Sequence, residues 1–379
     1  MDFTFNEEQR AVRDAASGVF AGMVTPARVA EVEAGDERID RELWSALAAS
    51  DLLGLAVPER SGGAGLGLLE LCLVLEAQGA VVAPVPLWAA LVAAALPIAR
   101  FGDPERWSPL LSAVARGEIV LSAALSDVTA GSSTRPRIAA RPDGDGWRLN
   151  GVAHAVPSAH IAQGVLVPAR TAGGEIILVV VDPHAEGVEA ERTVTTNREI
   201  HPHLQFDEHV VPARDVLVGA EGGAEALEWV VGVAATGLCA LQVGICEAAL
   251  RQTAAHLNER EQFGKPLSSF QGTMLRAADA AIDIEAMRVT LWEAAWRLDS
   301  GLDAREAVAV AKWQAAERGQ GVVHATQHLH GGTGADISYP IHRYFLWGKQ
   351  LELQLGGPSV QLARLGTLIA ERAAAGGQR

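Results

Sequence analysis

Two long apolar repeats in the C-terminal part of the chain restrict its fold more than any other feature. Leu227, Val231, Ala234, Leu238, Leu241, Ile245 and Ala248 recur at three- and four-residue steps, and so do Leu275, Ala278, Ile282, Ala286, Val289, Trp292 and Trp296. That spacing places each set on one face of an α-helix. A long helix with one apolar face needs a second surface to cover it. A third helical pattern runs through roughly residues 304–330 and a fourth covers about 341–354. Four such helices predict an antiparallel four-helix bundle, with the 275–296 face in its core.

Upstream the period changes. Short β-rich runs at 120–126, 147–152, 164–168, 175–181 and 210–211 are separated by Gly, Pro and Asp turns. Before them the pattern is helical again. Asn6-Glu-Glu-Gln opens a first helix with acidic residues near its positive end, and Asp40 is placed to cap another that passes through Trp44. The segment from Pro58 to Gly65 breaks the pattern, which resumes over 66–78. The 379 residues exceed what a single core usually holds. The expected fold is mostly α with an inserted β domain: an N-terminal helical domain over 1–117, a middle β-barrel-like domain over 118–220, and a C-terminal four-helix bundle over 221–379.

A net charge of −15 argues against a nucleic-acid surface, which needs a basic face. Cys72, Cys239 and Cys246 are too few for a disulfide framework and fit reduced thiols in a cytoplasm, the last two as core residues. No basic, apolar leader follows Met1, and the apolar stretch 87–99 is short of the ~20 residues that span a bilayer. The expectation is a soluble, cytoplasmic protein with no membrane partner. His324, His328 and His330 lack a companion Cys, Asp or Glu on the same face, so no metal site is expected.

The chemistry-bearing residues lie in Arg260-Glu-Gln-Phe263-Gly264-Lys-Pro-Leu-Ser-Ser-Phe270-Gln271 and in His330-Gly331-Gly332-Thr333-Gly334. Arg260 offers a planar fork of donors suited to a diphosphate. Phe263 is suited to packing on an adenine or ribose, and Gln271 carries both a donor and an acceptor. Gly331, Gly332 and Gly334 permit close backbone approach to a ligand. Taken singly, Arg260 equally fits a helix C-cap and the glycines a tight turn. In combination the spacing resembles the acyl-CoA dehydrogenase flavoprotein family, whose helical, β, helical-bundle order matches essentially the whole chain. The resemblance implies FAD as cofactor. It also implies that Arg260, Phe263, Gln271, Gly331, Gly332 and Gly334 hold the pyrophosphate and adenosine end of a neighbouring subunit's FAD. His328 stands where the family often has Gln and retains a donor for that site.

The other half of the family pattern is eroded. Ser126-Asp127-Val128-Thr129-Ala130-Gly131-Ser132-Ser133 replaces a Thr-Glu-Pro-x-x-Gly-Ser-Asp run that meets flavin and substrate. In Asn150-Gly151-Val152-Ala153-His154-Ala155-Val156-Pro157, Ala155 replaces an aromatic that stacks on the flavin and Pro157 a hydroxyl donor. Proline also lacks the N–H that could substitute, so poor flavin binding in cis is expected. The resemblance puts the proton-abstracting glutamate at one of two positions, occupied here by Leu355 and Ala234, so no catalytic residue is expected in this chain. Glu228 and Glu352 read as solvated helix faces.

The ending His342-Arg343-Tyr344-Phe345-Leu346-x-x-Lys349-Gln350-x-Glu352-x-x-Leu355-Gly356-Gly357, with Arg38-Ile-Asp-Arg-Glu-Leu-Trp44, looks like the base-less beta subunit of actinobacterial heterotetrameric steroid-side-chain acyl-CoA dehydrogenases. That resemblance implies an α2β2 assembly with a homologous alpha subunit that carries the catalytic Glu and binds most of the acyl-CoA. It also implies an electron-transfer acceptor, and formation of an α,β double bond in a steroid side-chain CoA thioester during cholesterol catabolism. Two other readings stay open: a self-sufficient homotetrameric dehydrogenase with an atypical base such as Glu228, and a non-catalytic assembly scaffold.

Overall fold

The structure is a computed structural model that describes residues 4–127 and 135–376. Six helices come first: α1 (Glu7–Met23), α2 (Pro26–Ala34), α3 (Arg41–Ala49), α4 (Leu68–Val81), α5 (Leu96–Phe101) and α6 (Pro104–Ala115). Their starts are written locally. Asn6 and Gln9 exchange side-chain and backbone hydrogen bonds in a capping box, and the Asp40 carboxylate accepts from Leu43 N at 3.1 Å. Ahead of α5, residues Trp88–Ala95 form a π-helical stretch buried along its whole length.

Eight strands follow: β1 (Leu121–Ala123), β2 (Ile138–Asp143), β3 (Gly146–Ala153), β4 (Gly164–Thr171), β5 (Ile176–Val181), β6 (Val188–Glu191), β7 (His203–Val211) and β8 (Val216–Val218). They make one sheet in the order β6-β7-β3-β2-β4-β5-β8, with β1 added to β4. The β2–β4 and β1–β4 pairings are parallel and the rest antiparallel. Strands β2, β6 and β8 escape the sequence reading. Ile138–Asp143 alternates Ile and Ala with exposed Ala and Arg, and β6 and β8 are only a few residues long.

The remaining helices are α7 (Gly223–Glu259), α8 (Gln271–Asp299), α9 (Arg305–Leu329), α10 (Ile341–Leu353) and α11 (Pro358–Gly376), with a two-residue ribbon of β9 (Glu261–Gln262) and β10 (Lys265–Pro266) between α7 and α8. The sequence reading lacked α11. Helix α7 is the one element among the described residues long and apolar enough to cross a membrane, and its apolar stretch is almost wholly buried by its neighbours. It is therefore α7, not the 87–99 segment, that is the longest apolar element.

The two helical regions share one core, containing Phe20, Leu71, Leu241, Leu291 and Trp347, while Leu149, Val167, Val179 and Phe206 centre a second core inside the sheet. Helices α4 and α7 cross closely because glycine faces backbone from both sides. A Cβ at Gly79 would collide with the Leu241 carbonyl, and one at Gly244 with the Glu76 carbonyl. Glu33 of α2 ties the regions together through Arg343 of α10 at 3.0 Å and Arg198 of the β domain at 3.2 Å.

One expectation about the core is overturned. On α8 the buried residues are Ala280, Ile284, Met287, Leu291, Ala294, Ala295 and Leu298. Leu275, Ile282 and Val289 point outward, 57%, 65% and 62% exposed. Both faces of α8 are apolar at helical spacing, so periodicity identifies the helix without saying which face the bundle takes.

Candidate functional site: one open half and one filled half

Arg260 is the first residue beyond α7, its N–H donating to the His256 carbonyl at 2.9 Å and its carbonyl accepting from Leu267 N at 2.8 Å. Its side chain is exposed. Phe263 and Gly264 then form the two-residue turn of the β9–β10 ribbon with φ of 54° and 76°. Two positive φ values are the signature of a type I′ turn, a conformation that suits Gly264 and strains Phe263. The turn leaves the Phe263 ring 91% exposed, in a T-shaped arrangement with Phe270 at 6.3 Å between centroids. Gln271, also exposed, is the first residue of α8.

The second arm is the end of α9. The buried His330 donates from Nδ1 to the Thr326 carbonyl at 2.9 Å and stacks on His256 at 4.5 Å, so the ends of α9 and α7 are held side by side. Burial pushes the His330 imidazole below its ordinary pKa. Beyond it, Gly331 (φ 60°) and Gly332 are exposed, with open space where a Cβ would stand. His328 is exposed too. Gly334 differs: it is buried, and a Cβ there would strike the Gln327 carbonyl, so its glycine is required by packing.

Arg260, Phe263, Gln271, His328, Gly331 and Gly332 thus line an open end of the bundle, with a guanidinium, an amide, an unshielded aromatic ring and accessible backbone. That donor set fits the pyrophosphate and adenosine of FAD, a cofactor whose chemistry is to accept a hydride at its flavin ring. His324, His328 and His330 do not converge. His324 packs edge-on against Phe345 at 4.8 Å, and no group of three metal-ligating side chains occurs among the described residues.

In the half that would face the chain's own flavin, the described polar groups are already paired within the β domain. Residues 128–133 of the altered run lie outside the described residues. Ser126 donates to the Ala155 carbonyl at 3.0 Å, and Asp127 accepts from the backbone and ring nitrogens of His154, both at 2.8 Å. Ala155 N donates to His203 Nδ1 at 2.9 Å, the Pro157 carbonyl accepts from Ser122 Oγ, and Ser158 is buried with its N–H on Ile200. These polar groups are already used inside the β domain.

Leu355 and Ala234, which the resemblance places at the two base positions, are both buried. The Ala234 carbonyl accepts from Trp88 Nε1 at 2.8 Å. The Trp88 indole lies so close to α7 that a Cβ at Gly237 would come within 2.9 Å of it. What remains between Trp88, Leu238, Ser158, Glu199 and Gln354 is a void of about 30 Å³. That is room for one water and far below the several hundred Å³ of a ligand cavity.

Glu199 is the carboxylate at this void, held by Asn197 Nδ2 at 2.7 Å and beside His201 at 3.2 Å. Glu228 pairs with Arg364 and Glu352 with Lys349, so both carboxylates are engaged elsewhere. Cys239 and Cys246 are buried thiols pushed up to about 12 by burial, inert as nucleophiles. Sequence reasoning missed Trp88, Glu199 and His256. Of these only Trp88 had a visible signal, as the large side chain opening an otherwise Ala-, Val- and Leu-rich stretch.

Two family profiles match this chain: "Acyl-CoA dehydrogenase, N-terminal domain" over residues 6–118 and "Acyl-CoA dehydrogenase, C-terminal domain" over 221–369. Acyl-CoA dehydrogenase FadE27 of Mycobacterium tuberculosis is 36% identical over 98% of this chain and 99% of its own length. Among solved structures, a chain of the Tcur3481-Tcur3483 steroid ACAD (G363A variant) is 48% identical with a TM-score of 0.91, covering 97% of this chain and 99% of that one. A chain of the ChsE4-ChsE5 complex from Mycobacterium tuberculosis is 36% identical with a TM-score of 0.92, covering 98% and 99%. The chain belongs to the acyl-CoA dehydrogenase family, FAD-dependent oxidoreductases that act on CH–CH bonds.

Proposed function

We propose that this chain is the supporting subunit of a heteromeric acyl-CoA dehydrogenase. In this reading it lends the adenosine-pyrophosphate half of the FAD site to a homologous partner, which holds the acyl-CoA and the base. The carrying observation is the contrast within one chain: an open cradle at Arg260, Phe263 and Gly331–Gly332, and a void of about 30 Å³ where its own substrate would sit. A steroid side-chain CoA thioester is the substrate proposed. The similarity to a protein named as a steroid dehydrogenase and to a two-protein complex supports substrate class and assembly together.

Removal of the weakly acidic α-proton needs a carboxylate within hydrogen-bond reach. Ala234 and Leu355 provide none, and the filled void keeps a thioester away from Glu199. This chain's contribution is then to bind and orient: Arg260 clamps a diphosphate, Phe263 covers the adenosine, and the open glycine backbone donates to phosphate oxygens.

The rival reading, a self-sufficient enzyme, is favoured by Glu199, the carboxylate that lines the void, and by Glu228, which lines a separate cavity of about 490 Å³. Steady-state reduction of an artificial acceptor by a steroid CoA thioester separates the two. Glu199→Gln, Glu228→Gln and Glu352→Gln each leave turnover of the assembled enzyme within about two-fold, whereas the corresponding change at the partner's base abolishes it. Loss of turnover in Glu199→Gln with FAD still bound would establish the rival.

A further inference from the structure

The outer face of the β sheet carries a cluster of guanidiniums that the flavin site does not use. Along β2, Ile138 and Ala140 point into the sheet's core, and Arg137, Ala139 and Arg141 point outward. The pairing register fixes their neighbours on the same face. Ala139 lies opposite Asn150 on β3 and opposite Arg170 on β4, and Arg141 lies opposite Arg148. Ala139 is therefore the small floor of a trough, with Asn150 and Arg170 to its sides and Arg137 and Arg141 before and behind. A cleft of about 370 Å³ opens there, lined by Arg137, Arg141, Arg148, Arg170 and Asn150 with no carboxylate in its wall.

Like charges directly opposite on neighbouring strands are destabilising, and this structure offsets only part of the repulsion. Glu208 bonds Arg141 and accepts from Asn150 Nδ2 at 2.8 Å, and Asp143 pairs with Arg148 at 2.8 Å. The Arg141 guanidinium, then the Asn150 amide, holds the Glu208 carboxyl below its ordinary pKa. Arg137 and Arg170 have no carboxylate partner among the described residues. In a chain of net charge −15, with 46 acidic and 31 basic residues, two unneutralised guanidiniums flanking one alanine on a basic face are not set by overall composition.

We propose that this trough is a binding site for a small molecule carrying a pyrophosphate or several phosphoryl groups. Guanidinium forks are matched to phosphate oxygens. The trough measures about 13 Å from Arg137 to Arg141 and about 10 Å across three strands, which suits a diphosphate ester rather than an extended chain. The site lies on the sheet face and requires nothing of Arg260 or of the flavin.

Calorimetric titration of the assembled protein with inorganic pyrophosphate and with ADP, at low ionic strength, tests this. Saturable binding that weakens as salt is raised is expected. Arg137→Gln/Arg170→Gln should raise Kd at least ten-fold, and Ala139→Glu, which sets a carboxylate on the trough floor, should remove binding. All these side chains face outward, so folding is checked by an unchanged thermal melt. Arg260→Ala separates this site from the flavin cradle: binding that persists in it supports the trough, and binding lost with it overturns the proposal. No saturable binding up to millimolar pyrophosphate, equal affinity in the sheet variants, or binding of polyglutamate alone would also overturn it.

Discussion

Lys312 shows how a single side chain fixes the end of a neighbouring helix. It lies on α9, only 1% exposed, and its ammonium donates to the carbonyls of Leu351 at 3.0 Å and Glu352 at 3.2 Å. These belong to the last turn of α10, whose carbonyls have no partner within the helix. Lys312 thus caps a neighbouring helix from inside the core, three residues before Leu355. Burial lowers its pKa from 10.5 to about 8. Because the folded value lies below the unfolded one, the unfolded chain binds more protons between those limits, and stability rises with pH through that window. Below about pH 8 the charged lysine costs on the order of 3 kcal/mol. Lys312→Met, matched in volume and without charge, should therefore gain least on the wild type at pH 10 and most at pH 7, in urea midpoints measured at both. Parallel pH profiles would show that the burial penalty is absent. At this scale the sequence was legible where identity alone decides chemistry: the glycines at 79 and 244 let two helix backbones meet. It did not reveal the roles of Trp88 and Lys312, which depend on which helix lies across from them.

Among the elements, α8 was both well and badly read. Its existence follows from helical spacing, yet the expected core face, Leu275, Ile282 and Val289, is the outward one. The true core face, Ala280, Ile284, Met287 and Leu291, has the same period. Strand β2 failed for a related reason, since its outward side alternates arginine with alanine and hides the two-residue rhythm. The exposed α8 residues fall seven apart, a spacing that keeps them on one line of the helix. Water does not favour such a line on a monomer, and it stands on the helix that begins at Gln271. Its expected role is to meet the partner. Ile282→Asp should leave the circular dichroism spectrum of the chain unchanged and shift its light-scattering mass from assembly to free subunits. A full-sized assembly in this variant would remove α8 from the interface.

Taken whole, the molecule couples an open cradle at one end of its bundle to a closed pocket between bundle and sheet. In a homo-oligomer every copy would offer a cradle to a neighbour whose pocket has room for one water. On the proposed reading such an assembly would supply diphosphate clamps but no room for a substrate. On the proposed reading, pairing with a homologue whose pocket is open would remove the conflict, because each flavin site would draw its cradle from this chain and its pocket from the partner. The alternative cradle, on the partner, would face this chain's filled pocket and stay unused. The expected ratio is one FAD per two polypeptides, measured as flavin absorbance against total protein after co-purification, with the chain alone retaining none. Arg260→Ala should lower that ratio further. Loss of a charge-assisted contact of about 1.5–3 kcal/mol weakens FAD binding roughly ten- to more than a hundred-fold, while the subunit mass is unchanged. A ratio near one FAD per polypeptide would mean that the pocket behind Trp88 opens to admit flavin. A normal ratio in Arg260→Ala would instead reduce Arg260 to the residue that ends α7.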